Sequence, residues 1–599
     1  MARIRDGYPR PQFIRKQWMN LNGEWDFEFD DENLGLGEKW YLPHKEFSQK
    51  IQVPFVYQSK LSGIEKRSFH DIVWYKKMVN IPKEWKGQRI VLHFGAVDYT
   101  ASIWVNGKFV KRHEGGHTPF SIDITDDINE DATTITVRTE DYSKDLSLPR
   151  GKQYWKERSE GIFYTGSTGI WQTVWLEPVH KTHLDRVKMV PNIDENEITI
   201  RSFINRFSKE KNVKLRTRIM FQGKTIIEDV IDIYNSEETR TIKISGDDHY
   251  GYVHLWSPEE PNLYTVHFTL YENDVIIDEV ESYFGMRKIS VENGKLCLNN
   301  RPYFKRMVLD QGYYPEGLLT APSDCDIKND VLIAKKLGFN GVRKHQKLED
   351  PRFLYWCDQL GLLVWGEFAS ARKYSEQYVN RYTKEWLEVI ERDFNHPSIV
   401  VWVPINESWG VPDIQRNEQQ QHHVLSMYHL LKSLDPTRLV VSNDGWEHMA
   451  TDLCTIHDYH SSYKVLKDRY NNIENIYNFK PHFGGRNIFV REKDKNDQPI
   501  LVTECGGISF EGSKAEQSGW GYSGAGNEEE FLEMLKDVIN PLLNSPYVQG
   551  FCYTQLVDVE QETNGLLTYY RKAKVDFNKI KEIIDAPTYD EKHYGTFIT

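Results

Sequence analysis

At about 100–200 residues per domain, 599 residues make roughly three or four domains and exclude a single small binding module. Lys plus Arg total 75 against 88 Asp plus Glu, a formal net charge of −13 with no long basic block, so nonspecific capture of nucleic acid, which needs cations to neutralise phosphates, is excluded. No apolar run approaches the roughly 18 residues of a membrane span, and MARIRDGYPR leads into polar residues without an apolar signal core; the expectation is a soluble, cytoplasmic protein.

From about residue 20 to 180 the text is strand-like. LNGEWDFEFD, VWYKKMVNIP, RIVLHFGAVD, ASIWVNGKFV and TTITVRT alternate apolar and polar residues between Gly, Pro, Asn and Asp turns, which describes an all-β sandwich. After GIWQTVWLEPV a shorter series follows, through THLDRVKMVP, EITIRSFINR, VKLRTRIMFQ, TRTIKIS and LYTVHFTLY. It reads as a small immunoglobulin-like sandwich ending at about residue 288. The aromatic content, 13 % with 17 Trp and 33 Tyr, suits thick sheet cores and also platforms for the apolar faces of sugars.

Beyond FGMRKISVENGKLCLNNRPYF the pattern changes. KRMVLD, NGVRKH, LLVWGE, IVVWVPINE, RLVVSND, LCTIHDYH, PILVTECG and VQGFCYTQL are candidate strands, separated by amphipathic runs such as SDCDIKNDVLIAKKLG and PRFLYWCDQLG that end in Gly. Such β-α alternation predicts a (β/α)8 barrel. The segment from about 480 to 498 is polar and irregular enough for a long loop. Six cysteines, all from residue 297 onward and without a CxxC pair, read as reduced and mostly buried thiols.

A barrel of this kind carries its chemistry at the C-terminal ends of its strands. Those ends supply Asp310, Arg343 with His345, Glu367, Asn406 with Glu407, Asn443 with Asp444, His457 with Tyr459 and His460, Glu504, and Gln555 with Asp558. In IVVWVPINE and ILVTE an apolar strand runs straight into a carboxylate, Glu407 and Glu504. One strand-end Glu taken alone is as readily a helix cap or an ordinary ion pair. Two, on strands that would be the fourth and seventh, face one another across the barrel mouth, as the carboxyl pair of a glycosidase does.

LNGEWDF, the IWVNG turn, GIWQTVWLE, the FGMR junction, WVPINES and LVTECGG stand in order and at suitable separations. Together they resemble glycoside hydrolase family 2 along essentially the whole chain. The resemblance implies a multi-domain protein of β plus α/β class: a sugar-binding-type jelly-roll β-sandwich over 1–180, an immunoglobulin-like β-sandwich over 181–288 and a catalytic (β/α)8 TIM barrel over 289–599. It further implies that Glu407 is the general acid/base and Glu504 the nucleophile of a retaining mechanism, with Asn406 on the sugar 2-hydroxyl. His345 resembles the histidine that contacts sugar hydroxyls at the second strand, although the usual spacing has one more residue. Arg343, Glu367, Asp310, His457, Tyr459, Trp520 and Gln555 complete the expected substrate-binding set. No cofactor is required; the resemblance leaves room for a structural or activating Mg²⁺ or Na⁺, which stays unassigned because the carboxylates offer no clean ligand spacing.

Three other motifs lead elsewhere. His113-Glu114-Gly115-Gly116-His117 matches H-E-x-x-H, but two Gly and a following Thr118-Pro119 argue against the helix that zinc binding requires. Gly521-Tyr522-Ser523-Gly524-Ala525 falls one residue short of a nucleophile elbow. Cys505 points away from Glu504 by strand alternation.

Family glucuronidases resemble one another in an Asn-x-Lys motif that grips the substrate carboxylate. Here the matching stretch reads Glu562-Thr563-Asn564-Gly565-Leu566, without the Lys. Asn478-Phe479-Lys480 fits the spacing but precedes the nucleophile. An acidic residue at that place repels a uronic acid, so the expected substrate is a glycoside with a terminal neutral sugar, of β-galactosidase type. A furanosidase acting on galactofuranose or arabinofuranose is the alternative, ahead of β-glucuronidase and β-mannosidase. A noncatalytic glycan-binding protein on the same fold predicts loss of one member of the carboxylate pair, and both are present. Trp155 to Tyr164 is a stretch of interest, since KQYWKERSEGIFY is too rich in charge and aromatics for an ordinary connector. The acidic surface and several domains permit a homo-oligomer.

Overall fold

A computed structural model describes residues 5–129, 131–205, 212–245, 252–481, 485–510 and 519–594. The first unit is a sandwich of a six-stranded and a four-stranded antiparallel sheet. Its strands form where the alternation predicts them. In Gly23–Phe29, Trp25 and Phe27 are buried while Asp26 and Glu28, which alternate with them, are half-exposed. Ile72–Val79 pairs with Thr133–Glu140 in register from Ile72 opposite Glu140 to Val79 opposite Thr133. Trp25, Tyr75, Ile103 and Val137 from one sheet meet Leu92, Phe94 and Leu176 from the other in a single core. Lys108–Glu114 is a strand containing His113 and Glu114, so the H-E-x-x-H text lies off any helix.

The second unit sets a three-stranded sheet, His183–Asn192, Glu197–Asn205 and Glu237–Lys243, against a four-stranded one, Lys224–Asp232, Val213–Phe221, Tyr264–Glu272 and Val275–Phe284. Val213–Phe221 alternates buried and half-buried residues along its whole length, as a strand with one core face must.

The barrel strands are β1 (Lys305–Asp310), β2 (Gly341–Lys344), β3 (Leu363–Glu367), β4 (Ile399–Val403), β5 (Leu439–Val440), β6 (Cys454–Asp458), β7 (Ile500–Gly506) and β8 (Val548–Thr554). They run parallel in the order β5-β4-β3-β2-β1-β8-β7-β6. The chain beyond β5 joins the two ends of this order, since Gly445 donates its N–H to Thr455 Oγ1 and accepts from His457 N. Met307, Leu309, Leu363, Trp365, Val401, Val403, Leu501 and Cys552 fill the interior. A hairpin, Ile289–Glu292 and Lys295–Leu298, joins that core through Ile289, Leu296 and Leu298. Helices α1 (Asp324–Lys336), α2 (Pro351–Leu360), α3 (Glu376–Asp393) and α4 (Glu418–Leu434) start where Ser323, Asp350, Ser375 and Asn417 cap them. α2 stops at Gly361 in the left-handed region. Among the described residues no helix is long and apolar enough to cross a membrane.

The first sandwich reaches over the C-terminal face of the barrel. Gly151 N–H donates to Ser370 O, and the N–H groups of Arg372 and Lys373 donate to Leu146 O at 3.0 and 2.9 Å. Gly151 has φ +59°, and a Cβ there would lie 2.2 Å from Gln346 O, so only glycine fits this approach. Tyr99 OH donates to Glu385 on α3 at 2.8 Å, and Thr165 N donates to Glu560 Oε2 at 3.1 Å. The stretch 146–165 thus becomes one wall of the barrel mouth.

Candidate active site

β4 ends at Val403 and the chain turns sharply at Asn406-Glu407-Ser408, where Glu407 and Ser408 have φ of +51° and +60°. Left-handed backbone is unfavourable for both residues. Hydrogen bonds from Glu407 N to Asp444 O and from Ser408 N to Asn443 Oδ1, each 2.9 Å, hold the turn, and Ser408 Oγ donates to Glu447, itself paired with Arg486. The turn aims Glu407 across the mouth toward Glu504 on β7. One carboxylate oxygen of each lies within 4.8 Å of the other.

A buried guanidinium organises the floor. Arg343, fully withdrawn from solvent, donates Nε to Glu367 Oε2 at 2.9 Å, Nη1 to Glu504 Oε1 at 2.7 Å and Nη2 to Asn406 Oδ1 at 2.7 Å. Its Nη2 also lies 3.0 Å from Asp444 Oδ2. Burial alone raises a carboxylate pKa; for Glu504 it is outweighed by the charges of His457 and Arg343 and by a hydrogen bond from Tyr459 OH, which hold it well below the usual range. These contacts favour the ionised form of Glu504. Glu367 keeps the opposite sign: burial dominates the pull of Arg343 and pushes it up to about 7.

His457 bridges the two carboxylates. Its Nδ1 is 2.8 Å from Glu407 Oε1 and 3.5 Å from Glu504 Oε2, and its Nε2 is 3.1 Å from Asp444 Oδ2. Gly445, φ +98°, makes room for the ring, since a Cβ would lie 2.6 Å from Nδ1. Burial opposes the imidazolium, but Glu504, Asp444 and Glu407 together push its pKa up to about 10. With both ring nitrogens turned to carboxylates, His457 is ion-paired with Glu407, Glu504 and Asp444. The folded state holds a proton here that the unfolded chain, with an ordinary value of 6.5, releases. This contribution to stability is complete below that value and disappears as pH rises through the folded one. The thermal midpoint is expected to decline between about pH 7 and about pH 10 and to decline less in His457→Gln; equal slopes in the two proteins would exclude the buried imidazolium.

Around the pair stand groups with unused hydrogen-bonding capacity. Asn406 Nδ2 and Gln555 Oε1 are buried and have no protein partner. His345 Nδ1 lies 3.2 Å from Glu367 Oε1 but outside hydrogen-bonding geometry, and burial with Lys152 and Arg343 nearby keeps the ring neutral. Tyr459 stacks on Tyr522 with ring centroids 3.5 Å apart, and Trp520 packs edge-on against Tyr522. Trp520 Nε1 donates to Gly161 O of the first sandwich at 3.0 Å. Glu562, 2 % exposed, accepts from Tyr164 OH and from Asn564 Nδ2. Its pKa is raised by burial, against the pull of Lys152.

Of the residues expected from sequence, Glu407, Glu504, Asn406, Arg343, His345, Glu367, His457 and Tyr459 converge on one cluster, with Trp520 reaching it through Tyr522. Asp310 is engaged within the protein, by Lys344 Nζ at 2.7 Å and Gly312 N at 2.9 Å. Asp558 pairs with Lys574 and Glu560 with Thr165 N, which leaves Glu562 as the acidic residue of that tail facing the site. Asn478 ends a short helix (Ile473–Asn478), and the neighbouring Lys480 donates to Asn487 Oδ1. Cys505 Sγ contacts Cys552 O, 3.4 Å away, on the far side of β7. Sequence reasoning missed Tyr522, Arg372 and Trp409. Trp409, two residues after Glu407 in the same turn, carried the one signal that was available.

The sequence matches three family descriptions in succession: "Glycosyl hydrolases family 2, sugar binding domain" over 18–167, "Glycosyl hydrolases family 2" over 182–287 and "Glycosyl hydrolases family 2, TIM barrel domain" over 289–518. It is 29 % identical to a putative beta-glucuronidase of Formosa agariphila over 456 residues, 72 % of this chain and 51 % of that protein. It is 27 % identical to a beta-galactosidase of Thermoanaerobacter pseudethanolicus over 416 residues, 68 % of this chain and 52 % of that protein. The chain spans about half the length of these curated relatives. In fold it is similar to a beta-glucuronidase from an uncultured Clostridium, with TM-score 0.77, 21 % identity and coverage of 96 % of this chain and 98 % of that one. A beta-galacturonidase of Eisenbergiella tayi aligns with TM-score 0.72 and 20 % identity over 97 % of this chain and 98 % of that one.

Proposed function

The chain belongs to glycoside hydrolase family 2, a family of O-glycosyl hydrolases, and from that premise we propose that it is a retaining exo-glycosidase releasing a terminal neutral sugar, of β-galactosidase type. The observation that carries the mechanism is the approach of the Glu407 and Glu504 oxygens to within 4.8 Å. Retaining enzymes hold their carboxyl groups about 5–5.5 Å apart, whereas inverting enzymes leave room for a water between them. Glu504, ionised, attacks the anomeric carbon while Glu407 protonates the departing oxygen. The C1–O bond to the leaving group breaks and an ester to Glu504 forms. Glu407 then takes a proton from water, whose oxygen displaces the ester. Asn406 Nδ2, buried without a protein partner, is oriented by Arg343 through its other amide atom and is free to donate to the 2-hydroxyl. Arg343 and His457 keep Glu504 charged until it reacts. No organic cofactor takes part in these steps.

For the sugar, the supporting feature is Glu562. A buried carboxylate that receives two protein hydrogen bonds retains lone pairs for sugar hydroxyls and repels a carboxylate on the glycone. A uronic acid is the second reading, favoured by relatives named beta-glucuronidase. Initial rates on p-nitrophenyl β-galactopyranoside, β-glucuronide, β-mannoside, β-galactofuranoside and α-L-arabinofuranoside separate the two. The expected result is one neutral glycoside dominating in wild type. A dominant glucuronide overturns the neutral glycone, and a furanoside moves the assignment to the alternative ring form. Silence on all five with folded protein returns the noncatalytic glycan-binding reading.

A further inference from the structure

The cations on the floor of the mouth have counter-charges: Arg343 with Glu367, Asp444 and Glu504, Lys344 with Asp310, Lys347 with Glu349, and Lys574 with Asp558. Two cations above it differ. Arg372, in the loop after β3, is half-buried, and its guanidinium carbon lies 4.4 Å from the Trp409 ring, 5.0 Å from Phe163 and 5.6 Å from Trp155. Lys152, 8 % exposed, places Nζ 5.3 Å from the Trp409 ring. Among the described residues neither side chain is within ion-pair distance of a carboxylate.

A cation taken out of water without a counter-charge is unfavourable, and a face of Trp or Phe compensates only part of the loss. The arrangement is completed when the missing anion arrives with a ligand. Its position says which part of the ligand. Trp409 follows Glu407 by two residues in the turn that presents the acid/base, and Glu407 is the carboxylate whose charge acts on Arg372. Glu407 protonates the leaving oxygen, so the aromatic and cationic surface beside it receives the leaving group.

We propose that Arg372 and Lys152, set on the Trp409, Phe163 and Trp155 platform, form a leaving-group subsite for an anionic sugar, a uronic acid or a sulfated residue. The apolar face of the ring lies on the aromatic platform, and the guanidinium takes the carboxylate or sulfate through paired hydrogen bonds. This rests on the retaining mechanism and holds whichever glycone is cleaved. The substrate is then a fragment of an acidic polysaccharide, shortened from the end by one sugar and leaving an anionic residue exposed.

The retaining mechanism supplies a test that bypasses the glycone. In the second step the leaving-group subsite is open to an acceptor, whose hydroxyl gives its proton to Glu407 as its oxygen bonds to C1 and the Glu504 ester breaks. With the best p-nitrophenyl glycoside of the panel, methyl β-glucuronide, methyl β-glucoside 6-sulfate and methyl β-glucoside are compared as acceptors, by the ratio of nitrophenol to free monosaccharide. We expect transfer to one or both anionic acceptors to exceed transfer to the neutral one about tenfold at low salt, to fall as NaCl is added, and to lose its preference in Arg372→Met and in Lys152→Met. Whichever anion wins identifies the natural group. Equal transfer to all three in wild type overturns the proposal, as does a preference that both variants retain. Proton NMR of the first-formed anomer reads the mechanism separately: an inverted anomer removes the premise, while a retained anomer with no acceptor preference removes only the subsite.

Discussion

Glu504→Ala is expected to lower turnover of the preferred glycoside by about 10⁴-fold or more, the scale on which loss of a nucleophile acting within a catalytic unit is measured. The fold should persist, because Arg343 keeps Glu367 and Asp444 as counter-charges. The truncated side chain leaves a space facing the anomeric carbon and lined by Arg343 and His457, both cationic. Sodium azide is expected to recover part of the rate, and the glycosyl azide it forms has the inverted configuration, because the small anion attacks from the side that Glu504 occupied. A variant that keeps more than about a tenth of wild-type rate assigns the nucleophile elsewhere. Glu407→Ala under the same azide, by contrast, yields product of retained configuration.

Arg343→Met is expected to be the most disruptive single change to the barrel floor. It removes one positive charge from among three buried carboxylates, and breaking a buried ion pair from one side costs about 3–5 kcal/mol because the partner is left uncompensated. The midpoint of denaturation should fall accordingly. In whatever fraction folds, Glu504 loses one of the charges that depress it, so the acidic limb of the pH–rate profile moves to higher pH. Arg343→Lys should not rescue the profile. An ammonium is a single point of charge and does not reach Glu367, Glu504 and Asn406 together as the planar fork does. Urea titration with the pH–rate profile of the soluble protein checks both parts, and a midpoint unchanged from wild type contradicts the neutralising role.

The contrast between Glu504 and Arg372 shows what a sequence exposes and what it hides. ILVTE and IVVWVPINE are legible because a barrel makes strand ends meet at one place, so an apolar run stopping at a carboxylate already implies a location. The eight strands and the capped helices between them are legible for the same reason, each being set by local periodicity and by Ser, Asp or Asn at the start. His457 is legible as a strand-end residue, but its charge is not, since that depends on Glu407, Asp444 and Glu504 arriving from three other strands. Arg372, Trp409 and Phe163 come from two barrel loops and the first sandwich. Nothing in the spacing of 163, 372 and 409 along the chain indicates that they share a surface. Lys152 opens a stretch whose composition is unusual for a connector, a sign that it does something without a sign of what.

Because the wall from Leu146 to Thr165 belongs to a sandwich with its own hydrophobic core, while the carboxylate pair and its ion-paired floor belong to the barrel, the two can vary separately under selection. Substitutions at Lys152, Trp155 or Phe163 are then expected to alter which leaving group is accepted while the contacts of Arg343 and His457 with the carboxylates stay in place. Lineages can therefore exchange substrates by editing one segment of the neighbouring domain and inherit the reaction itself unchanged.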